Sequence, residues 1–187
     1  MRRFFLILSL FLIGCNSTLD RNDSTQYDKG SFNQLTKTDF DRMADYEIKE
    51  NTESLKILAL KFYKRNPKEL RKTTSDSPEV TVNWLFTSQH NWKFKEINDA
   101  QGIEALDQVF DENFKGDRVL SLITGLYTML ITAHDNQKEF DMFDSLDPQL
   151  IYNTARNVEV IVWRLSTKRK KNGELFLVTN EINDDSQ

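Results

Sequence analysis

The sequence predicts an all-α fold of about six helices packed around one apolar helix. Three observations carry this. Apolar residues recur at helical rather than strand spacing over most of the chain. All three prolines follow a capping residue, in Asn66-Pro67, Ser77-Pro78 and Asp147-Pro148. Proline is favoured at the first helical position because its missing N–H would be unpaired there anyway. With only three Pro and six Gly in 187 residues, the chain is poor in the turn residues that a β-sandwich or barrel needs. The length suits one domain with a sizeable core.

The helical pattern begins near residue 37, with Phe40, Met43, Ala44 and Ile48 on one face. Thr52 reads as the cap of a second helix, whose face is Leu55, Leu58, Ala59, Phe62 and Tyr63. Asn66 with Glu69 three residues on has the spacing of a capping box. After Pro78 the residues Val80, Val82, Trp84 and Phe86 alternate as a strand would. The Ser-Pro-Glu start tips the segment to helix, with Val80, Trp84 and Leu85 as its face. Residues 88–98 form a polar connection that folds Trp92 and Phe94 onto the core.

A helix over 99–114 would carry Ile103, Leu106, Phe110 and Phe114 on one stripe, with Gly116 as a left-handed stop and Asp117 as the next cap. Val119–Ala133 is the most apolar stretch after the N-terminus and is expected to be the central buried helix. At about 15 residues it falls short of the roughly 20 a bilayer span requires. Ser121, Thr124, Thr128 and Thr132, with Gly125 nearby, let a neighbouring helix approach closely. The last helix runs from Pro148 to about Lys170 on a stripe of Ile151, Ala155, Val158, Val162 and Leu165. Asn172-Gly173 closes it. Leu175 to Val178 read as one short strand or as an extended strip on the helices. Residues 181–187 read as a disordered tail.

Ahead of this domain stands MRRFFLILSLFLIGC. Arg2 and Arg3 form a basic start, and Phe4–Ile13 an apolar run too short to span a bilayer. Cys15, the sole cysteine, rules out an intramolecular disulfide and a cysteine-based zinc site. Leu12-Ile13-Gly14-Cys15 resembles the lipobox of bacterial lipoprotein precursors. The resemblance covers the signal region alone. It implies removal of residues 1–14 and acylation of Cys15, with enough chains for stable anchoring to a membrane. In the Gram-negative sorting pattern, Asn16 in place of Asp implies the outer membrane, with the domain facing the periplasm. Residues 16–36 are polar and without sustained periodicity, as expected of a disordered tether that would span about 25 Å root-mean-square. The region from about 37 to 180, the helical domain, looks like the small uncharacterised lipoproteins of Gram-negative bacteria, a likeness that brings no activity with it.

Few catalytic chemistries fit. His90 and His134 are the only histidines, so no multi-histidine metal site can be assembled, and His134 reads as a surface residue at a helix C-terminus. There is no Gly-x-Ser-x-Gly elbow and no phosphate-binding loop, so no cofactor is implied. With 29 acids no carboxylate pair stands out. An enzyme, or an accessory subunit of one, would have to use acids the sequence does not mark.

Charge is more telling. Without residues 1–14 the chain holds 23 bases against 29 acids, a formal −6. Lys56, Lys61, Lys64, Arg65, Lys68, Arg71 and Lys72 face one acid, Glu69, in a stretch of 17 residues, or +6. The stretch reads as a solvated basic face paired to acids elsewhere, or as a docking patch for an anionic lipid surface or an acidic envelope protein. Nucleic acid does not fit an exported protein. The leading expectation is an anchored binding or scaffold protein that offers a helical surface to an envelope partner. Mass spectrometry of the mature N-terminus should find a diacylglycerol-modified Cys15, and Cys15→Ser should leave the chain unprocessed or outside the membrane fraction. An unmodified cysteine would refute the lipobox reading.

Overall fold

A computed structural model describes residues 39–87, 90–134 and 148–179, all within the unit Thr36–Gln187. The expected signal peptide with Cys15, the tether, residues 139–147 and the tail lie outside the described residues. The fold is all-α. Six α-helices occur among the described residues: α1 (Asp39–Arg65), α2 (Pro67–Thr73), α3 (Pro78–Thr87), α4 (Gly102–Gln108), α5 (Arg118–Ala133) and α6 (Pro148–Thr167), with a 3-10 turn at Lys95–Ile97.

α5 is the hub, as its composition predicts. Val119, Leu122, Ile123 and Thr124 are wholly buried on it. α1 runs antiparallel to it: Ile48 packs with Ile131 near one end, and Tyr63 reaches Asp117 at the other. α6 is also antiparallel. Its Asn157 contacts Met129, and its Arg164 pairs at 2.7 Å with Asp107, which follows the residues of α4 that touch the first turns of α5. α1 and α6 therefore flank α5 and run parallel to each other.

The small and hydroxyl residues of α5 bring α4 close. Ser121 Oγ donates to the Ala105 carbonyl at 2.8 Å. Thr128 Oγ1 accepts from the N–H of Gly102 at 2.7 Å while donating to the Thr124 carbonyl. A Cβ added at Gly125 would lie 2.6 Å from Leu106 Cγ and 2.8 Å from the Gly102 carbonyl oxygen, so only glycine fits without movement.

Several expectations are corrected. α1 is one continuous helix through Thr52, and Met43 is 60% exposed while Ala44 and Ile48 are buried. Thr52 lies where both apolar stripes continue into each other, so nothing forces a break. Asn66 makes no side-chain cap. Its Nδ2 donates to the Phe62 and Val178 carbonyls and its Oδ1 accepts from Val178 N–H, clipping the C-terminal strip to the α1–α2 junction. α3 buries Leu85 of the expected face together with Thr81 and Val82, but exposes Val80 and Trp84. α4 ends at Gln108, short of the expected 99–114 helix, and leaves Ile103 exposed; Leu106 and, beyond the helix, Phe110 of the expected stripe are buried, together with Ala105 and Val109. Gly116 is not left-handed; its missing Cβ makes room for the Glu96 carbonyl and the Phe114 ring. His134 is 4% exposed rather than on the surface, its Nδ1 bonded to the Leu130 carbonyl at 2.8 Å.

α6 departs most. Ile161 is its one buried residue among those described, and the expected stripe is turned partly outward, with Val162 61% exposed. The helix ends at Thr167, before Lys168–Lys171. Arg169 then bridges Leu175 across a turn at Asn172-Gly173, where Gly173 takes φ +86°. Leu175–Val178 is thus an extended strip, in which Phe176 and Leu177 are buried.

Gly125→Leu should destabilise the fold by about 3 kcal/mol, the upper end of the overpacking range, because the Gly102 backbone in its way cannot rotate aside. Urea unfolding followed by tryptophan fluorescence measures this. An unchanged midpoint would mean that α4 does not pack as described.

Candidate binding groove

α1 and α6 sit on either side of α5 and meet it along a concave seam, in which Leu130 is partly exposed while Leu122 and Leu126 lie buried behind the walls. The result is a trough of about 450 Å³. Leu122, Leu126 and Leu130 of α5 form its floor. Leu55, Leu58 and Phe62 of α1 line one wall, and Val158, Val162 and Leu165 of α6 the other. On α1 the lining runs from Asn51 to Arg65, about 20 Å at 1.5 Å per residue. The volume lies within the usual range of small-molecule sites, about 300–1,000 Å³. Polar groups gather at the ends. Asn51 and Thr154 are at one; Lys61, Arg65, Ser166 and Thr179 are toward the other. Among the described residues no Asp or Glu lines the trough.

This geometry separates the seven bases of the 56–72 stretch. Lys61 and Arg65 line the trough. Arg65 donates to the Thr179 carbonyl, which holds the C-terminal strip at that end. Lys61 is exposed and forms no hydrogen bond or ion pair with the described residues. The others turn elsewhere. Lys56 pairs with Glu53 at 2.6 Å and stands over the Phe86 ring. Lys64 pairs with Glu79 at 2.7 Å and holds that exposed carboxyl below its usual range. Arg71 donates to the Ser75 and Asp76 carbonyls, and Lys72 pairs with Glu69 at 2.7 Å. Lys68 is exposed on α2; the Glu174 carboxyl, held below its usual range chiefly by Asn172 and Lys170, feels Lys68 only weakly. The stretch is one patch in sequence and several environments in space, because α1 and α2 meet at Asn66.

Sequence reasoning named Val158, Val162 and Leu165 but turned them into the core, and it did not single out the α5 leucines as a floor. The available signal was an excess. α6 carries Leu150, Ile151, Tyr152, Val158, Val160, Val162 and Trp163, all partly or largely exposed, which is more apolar surface than one inward face can use.

Strong electrostatic perturbations lie away from the trough, at the contact of Tyr63 with Asp117. Its carboxylate caps α5, accepting from Val119 N–H at 2.8 Å and Leu120 N–H at 3.0 Å through Oδ1. Oδ2 accepts from Tyr63 Oη at 3.0 Å and Thr73 Oγ1 at 2.9 Å. Burial pushes its pKa up to about 6 against the lowering effect of these bonds. Burial and the nearby Asp117 hold the Tyr63 phenol well above its ordinary value. Four donors fill the carboxylate, so the arrangement suits a structural cap rather than a proton carrier. Among the described residues no three His, Cys, Asp or Glu converge as a metal site, and no helix is long and apolar enough to cross a membrane. Comparison with known proteins finds no matching family model, curated protein or solved structure.

Asp117 sets a pH dependence. A carboxyl with a folded pKa near 6 and an unfolded value near 3.8 holds its proton more tightly when folded, so its contribution is fully present below about pH 4 and lost by about pH 6. Asp117→Asn keeps a good N-cap and carries no charge. Urea unfolding at pH 4 and pH 7 should show the stability difference moving in favour of the Asn variant by about 1–3 kcal/mol on going to pH 7. Asp117→Ala should cost about 2–4 kcal/mol at both, since it strands four buried donors. A shift toward wild type at pH 7 would contradict the assigned environment.

Proposed function

We propose that this chain is a lipid-anchored envelope protein whose helical domain is a binding module, with the trough between α1 and α6 as its binding face. The anchor rests on the order of Arg2-Arg3, the apolar run and the lipobox ending at Cys15. The binding face rests on one observation above the others. α6 leaves most of its apolar side chains outside the core while forming one wall of a concave cleft that no acid lines among the described residues. A helix kept only to fill the core would turn those residues inward, where burying each would contribute about 1.5–3 kcal/mol. Asn16 supports the periplasmic face of the outer membrane. Acylation of Cys15 would bring the trough within a tether's reach of that leaflet, and Lys61 and Lys68 would add attraction for its anionic groups.

An enzymatic reading draws no support from Asp117, whose lone pairs are taken by Val119, Leu120, Tyr63 and Thr73.

The test is binding of a neutral, polarity-sensitive dye to the unlipidated chain from residue 16 onward. The dye should brighten and saturate at one site. Val158→Glu with Val162→Glu, at two exposed positions, should abolish the signal and leave the melting midpoint nearly unchanged. Full dye binding by this variant would remove the trough as the binding face.

A further inference from the structure

Resting on the trough as binding face, we propose that its ligand is a single-chain anionic amphiphile, one acyl chain ending in a carboxylate, with Lys61 as the residue that receives the headgroup. Three features of the trough point to this occupant.

The first is shape. About 450 Å³ drawn out over about 20 Å is a long, narrow space, within the usual volume range of small-molecule sites. One acyl chain is about 15 Å long, half the roughly 30 Å hydrocarbon thickness of a bilayer, and fits the length.

The second is lining. From Leu58 and Leu55 across Leu122, Leu126 and Leu130 to Val158 and Val162, the trough offers apolar contact on three sides. A chain that left water for this cleft would gain about 0.8 kcal/mol per buried CH₂.

The third is charge. The chain is acidic overall, at −4, yet among the described residues both charged side chains lining the trough are cations. They lie four residues apart on α1, on the same side of the helix, with the Ser166 hydroxyl from α6 also in the lining. Arg65 is engaged with the Thr179 carbonyl, whereas Lys61 has no such partner among the described residues. A carboxylate at this end would give Lys61 an opposite charge beside apolar walls, where an ion pair is less screened than in open water. Glu53, Glu69 and Glu79, the acids that pair with bases of the same stretch, bind Lys56, Lys72 and Lys64 and not Lys61.

The experiment is displacement of the bound dye from the unlipidated chain by hexadecanoate, by neutral hexadecanol and by cationic hexadecyltrimethylammonium, each below its aggregation threshold. Hexadecanoate should displace best, and its advantage should shrink as salt rises. Lys61→Glu, at an exposed position without a partner to lose, should weaken hexadecanoate on the order of tenfold and weaken the neutral dye and hexadecanol far less. Lys61→Gln should fall between. If the dye binds but the three amphiphiles compete alike, or Lys61→Glu has no effect, the headgroup assignment falls while the trough stands as a binding face. If the dye does not bind at all, both fall. Sedimentation that shows a dimer excluding dye and hexadecanoate would give the trough to a second copy of the chain and overturn the proposal.

Discussion

A buried carboxylate anchors one end of this molecule. Asp117 is fully enclosed, and its two oxygens draw together the backbone start of α5, Tyr63 from α1 and Thr73 from the end of α2. An uncompensated charge there would cost several kcal/mol, so the site exists only while all four donors are in place. That makes the capping contacts mutually dependent. α5 cannot shift along its axis without stripping its own cap, and α1 cannot rotate without withdrawing the phenol. Glu69 extends the node by accepting from the Arg118 N–H at 2.7 Å while pairing with Lys72. The raised carboxyl pKa reflects how dry this junction is.

With α5 held at its N-terminus, the rest of the packing follows from residue size. On one side Gly125, Ser121 and Thr128 admit α4 at backbone distance, and the hydroxyls return hydrogen bonds to the chain they let in. An aromatic group packs beside Tyr127 of α5, where Trp92 stacks on it with ring centres 4.0 Å apart and His90 lies 4.7 Å from Phe94. On the remaining side the floor is leucine. Leu122, Leu126 and Leu130 meet α1 and α6 there, and the trough lies between those two helices. The same helix thus packs tightly on one face and borders an open cleft on another.

Charge is organised by the same geometry. Most bases of the 56–72 stretch are absorbed locally, by Glu53, Glu69, Glu79 and loop carbonyls. Exposed pairs of this kind contribute about 0–1 kcal/mol each and chiefly settle where side chains lie. Lys61 differs because of its position beside the apolar cleft rather than its chemistry, and it is this placement that turns a basic stretch into a directed feature.

The sequence by itself determined the fold class, the starts of α2, α3 and α6 at their prolines, the identity of the central helix, the Asp117 cap and the close approach at Gly125. Each of these is local or depends on one residue's size, and local chemistry is written in the order of residues. It did not determine which way α6 faces. That helix has apolar residues around most of its circumference, so helical spacing admits several phases, and only contact with α5 selects Ile161 for the core. Nor did it show that Asn66, spaced as a cap, would instead clip Val178, since that partner lies 112 residues away. The grouping of Lys61 with leucines from α5 and valines from α6 is likewise a product of tertiary packing. Three helices must converge before a cleft exists, and no stretch of chain contains more than one wall of it.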